Sequence, residues 1–315
     1  MGVEGALKQF INSTNILPSD VLFEIKPEYL DDSQPQVYIL REKSGKFQKR
    51  IRIISNRYNA ITTEEKVCLL LEMHLSEHFY PQIYKKFKNV SGLGDILITE
   101  YKEGISLDKC IFDLSEIEFS MIVDQLCKDL KKIHSIKSSG FSDLAEFTDD
   151  NWFDFFEYKL KKYLNKALDN KILTNEEIEY LVKLLYREQD IFKQDYGSLI
   201  HFDVKPANII WDCRSKEISL IDFEMSRYAD ILMEFTKGKF TTLLFNNSVY
   251  KNKIWIPLVE QYFSQPYTDV FSSRKAVWYL FYHYLAHCNY QLCCYGVISP
   301  CILNEFIYYK RNLLA

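Results

Sequence analysis

The hydrophobic period changes once along this chain, near residue 101, and that change constrains the fold more than composition does. Before it, apolar and polar residues alternate in short runs: "VLFEIKPEYL", then "QVYILRE", then, after the turn "KSGK", "FQKRIRIIS". Alternation with a period of two marks half-buried strands, so three antiparallel strands are expected. "TTEEKVCLLLEMHLSEHF" follows as a helix, with Thr62 or Thr63 able to cap it and Glu64 and Glu65 suited to the positive end of its macrodipole. "GDILITEYKEG" then reads as a strand that runs out at Gly104.

Beyond this point the spacing becomes helical. In "EIEFSMIVDQLCKDLKKIH", Ile122, Leu126, Leu130 and Ile133 fall on one face, and most of the remaining chain follows the same rule. The expected class is α+β in two lobes, a small β-rich one over residues 1–101 and a larger, mainly helical one over 102–315, with a cleft between them. "AVWYLFYHYLA", Ala276 to Ala286, is too short and too rich in Tyr and His to cross a bilayer and reads as a buried helix.

Charge and cysteine usage narrow the function. A net charge of -4 without a basic cluster argues against nucleic acid as a partner. The N-terminus has no basic region followed by an apolar stretch, and no membrane role is expected. Eight cysteines show neither a C-x-x-C pair nor Cys/His spacing suited to zinc, which fits reduced thiols in the cytoplasm.

One stretch departs from the helical rule: "HFDVKPANIIWDCRSKEISLIDFEMSRYAD", residues 201–230. Asp203 lies five positions before Asn208, and Asp222 fourteen beyond that, each beside apolar residues that anchor it in strands or tight loops. Phosphoryl transfer needs a carboxylate to take the proton of an attacking hydroxyl, and carboxylate and amide oxygens to hold magnesium against nucleotide phosphates. Asp203, Asn208 and Asp222 match those three roles.

These residues resemble the protein-kinase-like superfamily, in its aminoglycoside phosphotransferase and choline kinase branch. That branch carries H-x-D-x-x-x-x-N and I-D-F-E or I-D-W-E, found here as His201-Phe202-Asp203 with Asn208, and Ile221-Asp222-Phe223-Glu224. "ILITEYKEGISL" is similar to its hinge, "LKKIHSI" to its closing helix and "NWFDFFEYKLKKYL" to its substrate-lobe helices, so that the resemblance spans about residues 20–240. It implies a bilobal protein-kinase-like fold with Asp203 as catalytic base, Asn208 and Asp222 as ligands of Mg2+, and His201 bracing the loop. Lys205 departs from the His or Val commoner in the branch and would contact the transferred phosphate, as in protein kinases.

The donor, ATP or GTP, would be held at the hinge by Glu100 and Tyr101. Its phosphates would meet Arg52 of the third strand, partnered by Glu65 on the helix, with Glu64 close behind. The loop expected over the nucleotide, "DDSQPQVY", has no glycine.

The acceptor is a small-molecule hydroxyl compound. The carboxylates of "SDLAEFTDDNWFDFFEYK" (Asp143, Glu146, Asp149, Asp150, Asp154, Glu157) suggest a cationic one, with an aminoglycoside-type antibiotic first. Trp152, Phe155, Phe156, Tyr158, Trp255, Tyr262 and Trp278 are either core or the walls of a box for a quaternary ammonium, which keeps choline or ethanolamine as the alternative. The segment from Ser226 carries nine Lys and Arg against five Asp and Glu and runs against a wholly acidic pocket. A protein kinase and a catalytically silent pseudokinase are the further alternatives; a monomer or homodimer is expected.

Overall fold

Five antiparallel strands in the order β1-β2-β3-β5-β4 form the N-terminal sheet of the computed structural model, which describes residues 3–14, 23–27, 36–42, 48–54, 60–76, 79–144, 147–244 and 246–314. A first helix, α1 (Val3–Ser13), precedes β1 (Phe23–Pro27), β2 (Gln36–Glu42) and β3 (Gln48–Ile54). Helix α2 (Ala60–His74) is followed by β4 (Ile83–Val90) and β5 (Gly94–Glu100). The three expected strands pair as expected, whereas β4 and α1 were not foreseen. β4 is an edge strand whose "IYKKFKNV" interleaves lysines with apolar residues and never leaves a wholly apolar face.

Sheet alternation divides the strand residues between two faces. Leu7 and Ile11 of α1 pack with Leu40, Ile51, Ile96 and Ile98 on one face. β3 pairs with β5 so that Ile51 lies opposite Ile98 and Arg52 opposite Leu97, which puts Arg50 and Arg52 on the other face. Helix α2 starts at Ala60, so Thr62 and Thr63 lie inside it and do not cap it.

The larger lobe begins with β6 (Ile105–Ser106), α3 (Leu107–Cys110) and α4 (Glu116–Ser135). Ser115 and Glu118 close a capping box at the start of α4. Next come three two-residue strands, β7 (Lys137–Ser138), β8 (Phe141–Ser142) and β9 (Thr148–Asp149), then α5 (Trp152–Asp169) and α6 (Asn175–Arg187). β10 (Gly197–Ile200), the hairpin β11 (Ile209–Asp212) and β12 (Glu217–Leu220), and β13 (Arg227–Ala229) frame the stretch singled out above. The chain ends with α7 (Ile231–Leu244), a π-helical turn at Tyr250–Trp255, α8 (Ile256–Phe263), α9 (Tyr267–Ser272), α10 (Arg274–Tyr295) and α11 (Pro300–Leu314).

α10 contains the expected buried helix: Trp278, Tyr279, Leu280, Phe281 and Leu285 are all inaccessible. No described helix is long and apolar enough to cross a membrane. Two glycines permit close approaches that a side chain would block. A Cβ on Gly104, at φ +128, would meet the Trp211 carbonyl oxygen at 2.5 Å, and one on Gly238 of α7 would lie 2.0 Å from the Trp255 ring.

Candidate active site

The β11–β12 hairpin accounts for the convergence of the candidate residues. Ile209 pairs with Leu220, so Asn208 and Ile221 leave the hairpin side by side, and the Ile221 N–H donates to the Asn208 carbonyl at 3.0 Å. Asp222 comes next, in the left-handed region at φ 70, at the start of the short turn Phe223–Met225. A chain of hydrogen bonds carries the geometry to Asp203. Asn208 Nδ2 donates to both the carbonyl and Oδ2 of Asp203, each at 2.9 Å. Lys205 Nζ donates to the same Oδ2 at 2.7 Å. With Oδ2 taken twice, Asp203 Oδ1 is the atom left to accept from a ligand hydroxyl. The Asn208 amide nitrogen is spent on Asp203, which leaves its oxygen for a cation.

Electrostatics knit this cluster together. Burial pulls the Lys205 ammonium down, but the charge and hydrogen bond of Asp203, followed by Asp222 and Glu224, outweigh it and its pKa is raised. Lys205 is therefore a cation held among carboxylates.

His201 is wholly buried and braces the loop. Its Nε2 lies 3.0 Å from the Ile221 carbonyl and so carries the ring proton; Nδ1 then accepts from the Asp203 N–H at 3.2 Å. A second brace comes from α7, where the carboxylate of Glu234 accepts from the N–H groups of His201 at 2.7 Å and Phe202 at 2.9 Å. It keeps Phe202 in a left-handed conformation, φ 65, that a bulky residue seldom adopts. Burial alone would raise the Glu234 carboxyl, yet the nearby His134 and His201 and the donated N–H hold it below its usual range.

Other candidates are placed as follows. Arg52 lies on the sheet face opposite α1; its side chain is outside the described residues, as is "DDSQP" of the expected phosphate loop. Glu65 forms an ion pair with Lys86 of β4, which lies opposite Leu97 as Arg52 does, so Glu65 reaches the sheet face on which Arg52 sits. The inaccessible carboxylate of α2 is Glu64, in line with Val67, Cys68 and Leu71. Glu100 accepts from the Gln82 N–H and pairs with Lys102 at 2.9 Å, and Tyr101 follows it on the way to Gly104.

The acidic segment is largely engaged within itself. Asp143 pairs with Lys159 and Glu157 with Lys161, and Asp149 accepts from the Asn151 N–H. Glu146 lies outside the described residues. Trp152, Phe155, Phe156, Trp255 and Trp278 are core, with Trp152 Nε1 donating to the Tyr279 hydroxyl at 2.6 Å. Tyr262 bonds His134, and Tyr158 stacks on Phe147 at the surface.

Sequence reasoning missed Glu234 and placed Glu64 second to Glu65. A carboxylate within an apolar helical run, as in "ILMEF" or ahead of "VCLLL", is itself a sign of a buried charge with a partner.

The family model described as the phosphotransferase enzyme family matches residues 29–264. The chain belongs to this family. It is a small-molecule phosphotransferase of the protein-kinase-like fold, as its motifs implied. Aminoglycoside phosphotransferase APH(4)-Ia, solved as a thermostable mutant with AMP-PNP and hygromycin B, is 14% identical with a TM-score of 0.65 over 98% of this chain and 96% of its own. ADP-bound aminoglycoside phosphotransferase APH(2'')-Ib is 18% identical, TM-score 0.61, over 100% and 97%. Plasmodium vivax ethanolamine kinase is 15% identical, TM-score 0.60, over 98% of this phosphotransferase and 85% of the kinase. No curated protein sequence matches it.

Proposed function

We propose that this phosphotransferase moves the γ-phosphate of ATP or GTP to a hydroxyl of a small molecule in a magnesium-dependent reaction. The observation that carries the reading is the convergence of Asp203, Lys205, Asn208 and Asp222 at one end of the β11–β12 hairpin. Asp203 Oδ1 accepts the acceptor's hydroxyl and takes its proton as the oxygen attacks phosphorus, while Oδ2 stays fixed by Asn208. Lys205 turns from Asp203 toward the transferred phosphate as that charge arrives.

Asn208, through its amide oxygen, and Asp222 are the residues that would hold magnesium. One amide and one carboxylate suit an ion that shares its ligation with phosphate oxygens. When bound, that ion neutralises charge on the phosphates. His201 is a positioning residue, since it bonds the loop backbone on both ring nitrogens. The N-terminal lobe, residues 1–101, holds the donor, with the base at Glu100 and Tyr101 and the phosphates at Arg52, and Glu65 or the buried Glu64 beside it supplies the helix carboxylate. The eight unpaired thiols, four of them exposed, support a cytoplasmic setting, and the enzyme works there as a monomer or homodimer.

An aminoglycoside-type antibiotic heads the acceptor panel, supported by the fold shared with the aminoglycoside enzymes, and ethanolamine and choline follow, supported by the ethanolamine kinase. The test is magnesium-dependent ADP or GDP release across that panel, with Asp203→Asn as control. Acceptor-dependent turnover absent from the variant is expected; turnover that survives in the variant removes Asp203 from the reaction.

A further inference from the structure

Two cations beside the catalytic loop form no ion pair among the described residues. Arg227 opens β13 opposite Ile200 and lays its guanidinium over the Phe202 ring, 3.8 Å from the centroid, next to Asp203 in sequence. Its Nε donates to the Met225 carbonyl at 3.2 Å. Lys237 lies one turn beyond Glu234 on α7, with its ammonium 4.9 Å from the Phe240 ring centroid. It is close enough to Asp203, Arg227 and Lys205 for all three charges to act on it, and burial, the largest influence, brings its pKa down to about 8.

The neighbouring carboxylates are spent elsewhere. Glu234 is bonded to His201 and Phe202. Asp230 takes Lys275 at 2.7 Å, the Tyr279 hydroxyl at 2.8 Å and the Leu232 N–H at 2.9 Å. Asp203 holds Lys205. Both side chains are half-buried, and a partly desolvated cation that has no ion pair is stabilised by an anion brought by a ligand.

We propose that the acceptor carries a carboxylate or phosphate group, received by Arg227 and Lys237 while its hydroxyl lies on Asp203. This rests on the phosphotransfer reading and narrows it. The anion belongs to the acceptor and not to the nucleotide because β13 and α7 carry the two cations, whereas the residues assigned to the donor phosphates sit on the β11–β12 hairpin and β3. The fold shared with aminoglycoside-binding proteins lends no charge preference to this chain, since recognition resides in the site and not in the fold.

The test uses the full-length protein saturated with magnesium and AMP-PNP, so that the γ-position is filled, and follows melting temperature and calorimetric affinity. Matched probes differ only in the anion: glycerol against glycerol 3-phosphate and glycerate, glucose against glucose 6-phosphate, with kanamycin and ethanolamine as cationic counterparts. At least one anionic probe is expected to bind where its neutral twin does not. Lys237→Met and Arg227→Met should each weaken it by about tenfold, and Lys237→Arg should restore most of the loss. Three results overturn the proposal: no anionic probe binding at millimolar concentration, binding that ignores both variants, or loss of AMP-PNP affinity in the variants equal to the loss of the probe. Absence of magnesium-dependent AMP-PNP binding in the wild type would instead overturn the phosphotransfer reading beneath it.

Discussion

On one flank of Asp203 the β11–β12 hairpin presents oxygens, Asn208 and Asp222; on the other, β13 and α7 present nitrogens, Arg227 and Lys237. The two flanks also differ in how they meet the cost of polar burial. The hairpin flank is bonded internally, with Asn208 donating twice to Asp203 and Lys205 closing the network. The cations of the helical flank form no ion pair among the described residues, and Lys205 and Lys237 move in opposite directions, the first raised and the second lowered because burial outweighs the pull of Asp203. A closed network fixes catalytic geometry in advance, whereas an open one shifts part of its stabilisation to the bound ligand.

The largest expected effect comes from breaking the hairpin flank. Asp203→Asn should lower acceptor-dependent turnover by about 10²–10⁴-fold with nucleotide affinity retained, and Asp222→Asn should abolish the magnesium dependence of nucleotide binding. Both are read by coupled ADP release and calorimetry.

Glu234→Gln strikes both flanks, because one carboxylate holds the His201 and Phe202 N–H groups while its helix carries Lys237. An amide facing two donors cannot satisfy them as a carboxylate does. A loss of about 2–4 kcal/mol in urea unfolding is expected, together with weaker turnover. Unchanged stability would show that the clamp on Phe202 is dispensable.

Lys237→Met should stabilise the protein while it weakens the acceptor flank. The folded lysine titrates near 8 against an ordinary 10.5, so the unfolded chain binds more protons between those values. Wild-type stability therefore rises with pH across that window, and the variant's advantage, about 2 kcal/mol at pH 7, should shrink toward pH 10. An advantage independent of pH would mean that the lysine is not desolvated.

Acidification probes the same region more gently. Burial is the largest cause that lowers both His134 and His283, the latter well below its ordinary value, with Lys237 pushing His283 further the same way. Protons taken up by the unfolded chain below about pH 6.5 are refused by the folded one, so stability should decline from pH 7 to 5.5 by about 1–3 kcal/mol. Lys237→Met should lessen the His283 part. The smallest contrast is at α2, where Glu65→Gln breaks the half-buried pair with Lys86 and should change nucleotide affinity by about twofold or less, and Glu64→Gln by more.

The hairpin flank was legible in the sequence because its parts are close together along the chain. Asp203, Asn208 and Asp222 span twenty positions, and a single short hairpin brings them together. The β-to-helix change of period likewise foretold the two lobes. The other flank was not readable, because the role of Lys237 depends on α7 crossing behind a loop more than thirty positions earlier. Nothing local in "FTKGKF" separates an ammonium facing the catalytic loop from one facing solvent. At α2, Glu64 shares a buried stripe with Val67 and Leu71 that was present in the sequence, but two adjacent glutamates look alike until the stripe is followed.

Gly238 adds a consequence for selectivity. With the Trp255 ring seated against its backbone, α7 can neither rotate nor slide along its axis without a collision, and Glu234 ties the same helix to the catalytic loop. The spacing between the catalytic loop and the backbone of α7 at Lys237 is therefore held fixed. An enzyme that receives its acceptor as proposed above would gauge it, favouring molecules whose reactive hydroxyl and charged end match that spacing over shorter and longer homologues that carry the same groups.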